Sequence, residues 1–242
     1  MIEWSILCDF DGTIAIEDIT DTLLERYGRH GWETLEREWR AGRIGSRECM
    51  AGQIGLLDLA RDELDAHLGH MRIDPDFPAF ARDVAAAGIG LRIVSDGLDY
   101  AIRSILARHH LQDLPVHANK LVADGARRWR LEFPYANTAC RSSSGMCKCA
   151  KLEKARARAQ RVLLIGDGVS DYCAAEQADF VFAKHRLLEH CRAADIPHVP
   201  IVGFADALHL LPALISGQLT AASASAPPLA YFTPPTDASS HV

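Results

Sequence analysis

Short apolar runs alternate with amphipathic segments along most of this chain, and the alternation predicts its secondary structure. Apolar runs that end abruptly at polar residues are typical of buried parallel strands. Apolar residues spaced three and four apart predict helices. The predicted strands cover residues 5–8, 91–94, a stretch near 116, 161–165 and 180–183. Because helices separate the strands, the pattern predicts an α/β fold with a doubly wound, Rossmann-like parallel sheet.

The pattern changes between the first two predicted strands. No strand pattern is visible from residue 17 to residue 74, where amphipathic helical segments follow one another. We therefore predict a core made of residues 1–16 and 75–216, with a helical cap inserted at residues 17–74. An insertion at this place can fold over the strand ends as a lid.

A β-hairpin and a tail complete the predicted organisation. Asp124 and Gly125 form a turn sequence between two alternating runs, residues 119–122 and 129–133, and this arrangement is typical of a hairpin. Beyond Ser216 the chain is rich in Ala, Ser, Thr and Pro, so we predict a disordered tail at residues 217–242.

Composition and charge narrow the possible functions. A chain of 242 residues is long enough for one α/β domain with an inserted subdomain. Its formal net charge of −6 gives no electrostatic basis for binding nucleic acid. No run is long enough to cross a bilayer, and no signal-peptide pattern opens the chain. We therefore expect no membrane partner, a cytoplasmic location, and either a monomer or a homodimer.

Acidic residues directly follow two of the predicted strands. Asp9 and Asp11 come after the first strand, whereas Asp167 and Asp171 follow the strand at residues 161–165. Because the carboxyl ends of parallel strands share one edge of the sheet, we expect the four carboxylates to lie together. Their repulsion would be relieved by a cation, and oxygen ligands favour Mg²⁺. The alternative is that Asp11 only closes an Asx turn.

A lysine is predicted to join the carboxylates. In a helix that begins after Gly145, Lys148 lies on the same stripe as the apolar residues Leu152, Ala155 and Ala159. Pairing with carboxylates would offset the cost of burying its charge. The other basic residues of this helix project to the opposite side, and we interpret them as a solvated face.

Four motifs resemble those of the haloacid-dehalogenase superfamily of aspartyl phosphatases. In chain order they are D-F-D-G-T-I from Asp9, V-S-D-G from Val94, the lysine at Lys148 and G-D-G-V-S-D from Gly166. The place of the inserted cap is similar to that in the branch that contains phosphoserine phosphatase, as is H-A-N-K-L from His117. The cysteine-containing run around Lys148 and the sequence from Gly166 onward resemble the methionine-salvage phosphatases that act on 2-hydroxy-3-keto-5-methylthiopentenyl-1-phosphate.

The resemblance implies a magnesium-dependent hydrolase that acts on a small phosphorylated metabolite through an aspartyl-phosphate. It makes Asp9 the nucleophile and Asp11 the general acid and base. Further implied contacts to the phosphate or the rest of the substrate are Ser95, Lys148, Gly12, Thr13, Asp18, Asp96 and Gly97. The implied Mg²⁺ ligands are Asp9, the backbone carbonyl of Asp11, and Asp167, with Asp171 assisting.

Several other activities of the superfamily can be compared with these motifs. An aspartate at position 11 disfavours a dehalogenase, and the first motif differs from that of the P-type pumps. Phosphomutase activity stays open. A catalytically inactive binding or regulatory protein is disfavoured, because the nucleophile and the implied metal ligands are all present.

The substrate is less clearly indicated. Asp18 matches the acidic residue that binds the amine in phosphoserine phosphatases, but Gln53 stands where their carboxylate-binding arginine is expected. Residues 168–170 also lack the asparagine of their fourth motif. We therefore favour the methionine-salvage substrate, with phosphoserine as the alternative. Candidate pocket residues on the predicted cap are Arg43 and Arg47 for an anion, and Trp32, Trp39 and Met50 for an apolar group.

Three of the seven cysteines lie close together in the sequence. Cys140, Cys147 and Cys149 could bind zinc, but a tetrahedral site needs a fourth ligand, and none is spaced conventionally. A disulfide is a further alternative. We expect free thiols, as is usual in a reducing compartment.

Overall fold

The first strand, β1 (Trp4–Cys8), lies in the middle of a seven-stranded sheet in the computed structural model, which describes residues 3–219. The other strands are β2 (Gly90–Leu98), β3 (Val116–Ala123), β4 (Trp129–Glu132), β5 (Arg161–Gly166), β6 (Phe180–Ala183) and β7 (His198–Pro200). Their order is β4-β3-β2-β1-β5-β6-β7. All neighbours pair in parallel except β4, which pairs antiparallel with β3 and forms the predicted hairpin. The predicted fold class is confirmed.

Helices connect the strands. They are α1 (Ile19–Tyr27), α2 (Trp32–Arg40), α3 (Ser46–Gly55), α4 (Arg61–His70), α5 (Phe77–Ala86), α6 (Asp99–Arg108), α7 (Lys148–Arg156), α8 (Tyr172–Ala175), α9 (His185–Ala193) and α10 (Phe204–Ile215). Between β1 and α5 the chain forms α1 to α4 and contributes no strand to the sheet. The two ends of this segment meet in a bridge between Ala15 and Ile73. The division into a core and a cap remains a prediction.

Alternating side chains of the central strands build two hydrophobic clusters. Ile6 and Cys8 belong to one cluster, whereas Leu7 between them belongs to the other. The same alternation holds along β5, where Leu163 and its neighbour Leu164 belong to different clusters. Successive side chains of a strand point to opposite faces, so both faces of the central sheet are buried. This explains why the central strands read as continuous apolar runs.

The ends of several strands and helices differ from those predicted from the sequence. Strand β2 continues past Val94 to Leu98, and its pairing with β3 shifts register between these two residues. The helix predicted to begin after Gly145 starts at Lys148 and ends at Arg156, so Ala159 of the predicted stripe lies outside it. Helix α8 has four residues and follows a 3-10 helix at Val169–Asp171. Strand β7 was not predicted, because three residues that include a proline carry little pattern.

Two further observations concern the predicted tail and the membrane. Leu219 is buried against the core, whereas residues 220–242 of the predicted tail lie outside the described residues. In the part of the chain that the structure describes, no helix combines the length and apolar character needed to cross a membrane.

Candidate active site

The loop after β1 brings its acidic residues to the edge of the sheet. Phe10 is fully buried, and its carbonyl accepts hydrogen bonds from the backbone N–H groups of Ile14 and Ala15, which close a tight turn. Gly12 lies inside this turn with φ +68, and a Cβ atom there would come within 2.5 Å of an oxygen of Asp167. Glycine is therefore favoured at position 12 for two reasons: it adopts the left-handed backbone conformation without strain, and it leaves room for the Asp167 side chain.

Three of the predicted carboxylates share one small volume. One oxygen each from Asp9, Asp167 and Asp171 lie within 4.8 Å of one another. The Thr13 hydroxyl lies 3.2 Å from Asp167 Oδ1 and donates a hydrogen bond to it. Asp171 Oδ2 accepts hydrogen bonds from the backbone N–H groups of Asp167 (3.1 Å) and Gly168 (3.3 Å), which fixes its orientation.

The ammonium of Lys148 lies between two of these carboxylates. Its Nζ is 2.6 Å from Asp9 Oδ2 and 2.6 Å from Asp171 Oδ1, and it also donates to the Ser170 hydroxyl at 3.0 Å. Lys148 is the first residue of α7 and only 3% exposed. The position predicted for Lys148 on the inward side of α7 agrees with its burial beside Leu152.

Burial and charge oppose each other at this ion pair. Burial alone would lower the pKa of Lys148, but the charges of Asp171 and Asp9 outweigh it and hold the pKa above its usual value. Burial and the charge of Asp171 raise the pKa of Asp9, against the opposing effect of Lys148. Two carboxylates thus face a single ammonium, which leaves excess negative charge.

Asp11 does not join this group, so the expected cluster of four carboxylates is a cluster of three. Its Oδ1 accepts a hydrogen bond from the backbone N–H of Ile19 at the start of α1 (3.1 Å), and its Oδ2 lies 3.5 Å from the Ser95 hydroxyl. Burial, with a smaller contribution from Asp18, raises the pKa of Asp11 to about 8. A carboxyl group with this pKa holds a proton at neutral pH and can act as a general acid. The predicted metal contact through the Asp11 backbone carbonyl remains a prediction.

The second motif lies beside Asp11. Ser95 is buried, and its hydroxyl accepts a hydrogen bond from the Gly97 N–H at 2.9 Å. A side chain at Gly97 would clash with Asp11, which explains the glycine at this position. The Asp96 carboxylate turns towards α7 and accepts the backbone N–H of Met146 at 2.8 Å. The structure thus places Ser95 and Gly97 beside the predicted general acid.

A cavity of about 450 Å³ is lined on one side by residues of the motifs, among them Asp9, Asp11, Ser95 and Asp167. Helices α1, α2 and α3 form its other side. The helical wall contributes Asp18, Thr20, Asp21, Glu36, Trp39, Arg40, Ser46, Cys49, Met50 and Gln53. Asp18 also caps α1 by accepting the Asp21 N–H at 3.0 Å. The one cation of this wall, Arg40, is paired with Glu36 at 2.8 Å.

The predicted pocket residues of the helical segment divide into two groups. Trp39 and Met50 line the cavity, whereas Trp32 packs against the hydrophobic core. Neither Arg43 nor Arg47 lines the cavity, and Arg43 is paired with Glu38 on the surface. The anion-binding role considered for these two arginines therefore has no support in the cavity.

Several residues of the cavity were not identified from the sequence. They include Thr20, Asp21, Glu36, Arg40, Ser46, Cys49, His185 and Arg186. His185 has a positive φ of 41 at the start of α9, which is uncommon for a side chain other than glycine or asparagine. His185 lies in the sequence from Gly166 onward that resembles the methionine-salvage phosphatases, and no hydrophobic periodicity indicates that it faces the cavity.

The seven cysteines are free thiols in the structure. Burial would raise the pKa of Cys140, but hydrogen bonds from the Ser142 and Ser144 hydroxyls outweigh it and lower the pKa to about 7. Within residues 3–219, the one group of three or more candidate metal ligands with suitable spacing is the aspartate trio. The zinc alternative for Cys140, Cys147 and Cys149 therefore gains no geometric support.

The aspartate trio has the chemistry expected of a Mg²⁺ site. All three donors are carboxylate oxygens, which hard divalent cations prefer. The charge balance also fits, because Lys148 compensates only part of the negative charge. The residues present therefore fit a divalent cation held by Asp9 and Asp167, with Asp171 close by.

The sequence is similar to that of a hydrolase family and of two named phosphatases. A family model described as haloacid dehalogenase-like hydrolase matches residues 6–176. The 2-hydroxy-3-keto-5-methylthiopentenyl-1-phosphate phosphatase of Geobacillus thermodenitrificans is 30% identical over 208 residues, covering 83% of this chain and 92% of that protein. The protein of the same name from Brevibacillus brevis is 29% identical over 209 residues, covering 85% and 94%.

A solved structure shares the fold. It is described as a phospho-aspartyl intermediate analogue of phosphoserine phosphatase, and it aligns with a TM-score of 0.65 at 18% identity. The alignment covers 86% of this chain and 99% of that chain. At this identity the likeness concerns the fold alone.

Proposed function

This chain belongs to the haloacid dehalogenase-like hydrolase family and is a phosphatase, and we propose that it hydrolyses a small phosphomonoester by way of a phosphorylated Asp9. The observation that carries the proposal is the position of Lys148, whose buried ammonium bridges Asp171 and the cavity-lining Asp9. A buried cation beside a carboxylate nucleophile is suited to binding a phosphoryl group.

The reaction follows from the placement of the two aspartates of the first motif. An oxygen of Asp9 attacks phosphorus, and the bond between phosphorus and the leaving oxygen of the substrate breaks. Asp11, protonated at neutral pH because burial raises its pKa to about 8, gives its proton to that oxygen. Asp11 then accepts a proton from the water that attacks the phosphorylated Asp9, and inorganic phosphate leaves.

The other side chains bind and orient the phosphoryl group. Lys148 compensates its negative charge, and the Ser95 hydroxyl, which lies next to Asp11, can donate a hydrogen bond to it. Mg²⁺, held by Asp9 and Asp167, would supply further positive charge at the phosphoryl oxygens when bound. Phosphate monoesters are hydrolysed very slowly without catalysis, so several such groups must act together.

The substrate we propose is 2-hydroxy-3-keto-5-methylthiopentenyl-1-phosphate or a related compound. The two named relatives that are about 30% identical over most of this chain support this choice. The cavity supports it as well, because Trp39 and Met50 offer apolar surface for a thioether group. The free thiols are consistent with the cytoplasmic location that such a metabolic role implies.

Phosphoserine is the second candidate, and the position of Asp18 favours it. Asp18 lines the cavity, where it could bind an amine. The carboxylate of phosphoserine has a less suitable partner, because Arg40 is already paired with Glu36 and Gln53 donates to Glu36 as well. We therefore rank phosphoserine second.

Phosphate release from a panel of small phosphomonoesters tests the proposal. We expect turnover of the methionine-salvage compound that depends on Mg²⁺ and that Asp9→Asn abolishes. Asp124→Asn, in the exposed hairpin turn, is the matched control and should leave turnover unchanged. Full activity of Asp9→Asn would refute the nucleophile, whereas better turnover of phosphoserine would refute only the substrate.

A further inference from the structure

The side chain of Asp96 makes contacts that the reaction outlined above does not use. Its carboxylate accepts the backbone N–H of Met146 at 2.8 Å, two residues before Lys148. Burial raises the pKa of Asp96, and the charge of Lys148, the Met146 N–H and the Ser46 hydroxyl oppose that rise. Its backbone carbonyl accepts a hydrogen bond from the side-chain amide of Asn119. Asp96 thus links the end of β2 to the segment that leads into α7.

A carboxylate at this place is unfavourable for phosphate binding. Asp96 lines the same cavity as Asp9 and Ser95, into which a phosphate dianion must enter. Like charges in a partly buried site repel each other strongly. The carboxylate must therefore provide something that offsets this repulsion.

The segment that it contacts has little regular structure to hold it. Residues 133–147 form neither a helix nor a strand, and their one β-bridge joins Tyr135 to Met146. Gly145 packs so closely against Phe133 and Asn119 that a side chain would clash. Two other hydrogen bonds hold the residues just before Lys148, from the Ser144 hydroxyl to the Met146 carbonyl at 3.0 Å and from the Cys147 N–H to the Tyr135 carbonyl at 3.3 Å. Of the three bonds, the one from Met146 to Asp96 ties the segment to β2.

We propose that Asp96 is a positioning residue whose carboxylate, by accepting the Met146 N–H, holds Lys148 against Asp9. The inference rests on the proposed function only in that Lys148 contacts the transferred phosphoryl group. A displacement of about 1 Å at a reacting group can lower the rate about 10²-fold, so a single hydrogen bond two residues away has a measurable effect. Asp96 itself takes no part in bond making.

A double-mutant cycle tests this role, with p-nitrophenyl phosphate as the substrate so that the test does not depend on the natural one. We expect Asp96→Ala to lower kcat about 10- to 100-fold with little change in KM. Asp96→Asn, whose side-chain oxygen can still accept the Met146 N–H, should lower it less. In a Lys148→Ala background, Asp96→Ala should cause no further loss, because the group that it positions is gone.

Asp99 supplies the matched control. It lies three residues further on and accepts the backbone N–H of Leu121 at 2.9 Å, the same kind of bond directed to β3 instead of to α7. Asp99→Ala should therefore lower the thermal unfolding midpoint, and its effect on kcat should be the same with and without Lys148. Hydrogen exchange gives a readout independent of activity, since the Met146 amide should lose protection in Asp96→Ala and keep it in Asp99→Ala.

Two results would overturn the inference. One is an equal loss from Asp96→Ala in the presence and absence of Lys148, and the other is unchanged protection of the Met146 amide. If instead Lys148→Ala itself kept full activity, the proposed function would fail together with the inference. Failure to hydrolyse the methionine-salvage compound would refute the substrate alone.

Discussion

The ammonium of Lys148 lies 2.6 Å from a carboxylate oxygen of Asp9, and the two side chains are only 2% and 6% exposed. A buried ion pair is costly to desolvate and is weak evidence for stability. Here Asp9 lines a cavity, and the buried ammonium also contacts a second carboxylate, that of Asp171. The proposed reaction explains the arrangement better than folding does, since it keeps a cation beside the proposed nucleophile, Asp9.

Lys148→Met should reduce both turnover and stability. Loss of one charged donor to the phosphoryl group should lower kcat about 10²- to 10³-fold. Two buried carboxylates then lose their partner, so the free energy of unfolding at pH 7.5 should fall by about 3 kcal/mol or more. Without the lysine the folded-state pKa of Asp9 rises further, and a raised carboxyl pKa favours the folded state at low pH. Urea unfolding should therefore show a smaller deficit at pH 5 than at pH 7.5.

Lys154→Met is the control for this variant. Lys154 is on the same helix and exposed, so its removal should change neither turnover nor the pH dependence of unfolding. A deficit in Lys148→Met that is the same at pH 5 and pH 7.5 would show that the lost charge does not act on the neighbouring carboxylates.

Removal of divalent cations should lower the stability of the folded protein as well as its activity. A ligand that binds only the folded state stabilises it by about 2.7 kcal/mol at a concentration 100 times its dissociation constant. Mg²⁺ should therefore raise the thermal unfolding midpoint relative to EDTA, and Asp167→Asn should reduce that rise. Asp124→Asn should not. An equal rise in wild type and Asp167→Asn would exclude Asp167 as a ligand.

Much of the fold, and the grouping of Lys148 with the carboxylates, could be predicted from the sequence. Each relevant signal is local: the apolar run before Asp9, the D-G turn of the hairpin, and the helical stripe that places Lys148 inward. Parallel strands then bring these local features to one edge of the sheet without further information. The direction of the Asp11 side chain could not be predicted in this way. It depends on the start of α1, where the Ile19 N–H donates a hydrogen bond to the Asp11 carboxylate.

The helical wall of the cavity could not be predicted. Gln53 lies 17 residues from Glu36 along the chain, and the two meet only because α2 packs against α3. Glu36 shows no unusual pattern within its own helix, so its pairing with Arg40 looks like an ordinary surface pair in the sequence. The helical wall of the cavity is consequently assembled where sequence patterns are least informative, at contacts between helices.

His117 should make the folded state less stable in acid. Burial lowers its pKa from 6.5 to about 4, and its Nδ1 has no hydrogen-bond partner. A histidine with a lowered folded-state pKa binds fewer protons when folded, so its stabilising effect is complete above pH 6.5 and is lost as pH falls towards 4. His117→Gln should remove this contribution, so its unfolding free energy should decrease less than that of the wild type over the same range.

A variant at an exposed histidine gives the comparison. His30→Gln lies on the surface and should follow the wild-type pH dependence. Identical slopes in wild type and His117→Gln between pH 6.5 and 4 would mean that His117 titrates normally in the folded protein.

Glu36→Gln should make the cavity more tolerant of a carboxylate-bearing substrate. Glu36 pairs with Arg40 at 2.8 Å and accepts the Gln53 amide at 3.2 Å, so it occupies the donors that could bind a substrate carboxylate. Phosphoserine and phosphoethanolamine differ only in that carboxylate. The ratio of their kcat/KM values should therefore shift towards phosphoserine, by about fivefold, because an exposed ion pair contributes up to about 1 kcal/mol.

Two further variants separate the freed arginine from the general loss of negative charge. Glu38→Gln releases Arg43, which does not line the cavity, and should leave the ratio unchanged. Arg40→Ala in the Glu36→Gln background should cancel the gain, because the carboxylate then loses its new partner. If the gain persists without Arg40, reduced repulsion from Glu36 explains it. If no gain occurs, the pairing of Arg40 with Glu36 does not limit which phosphomonoesters the cavity accepts.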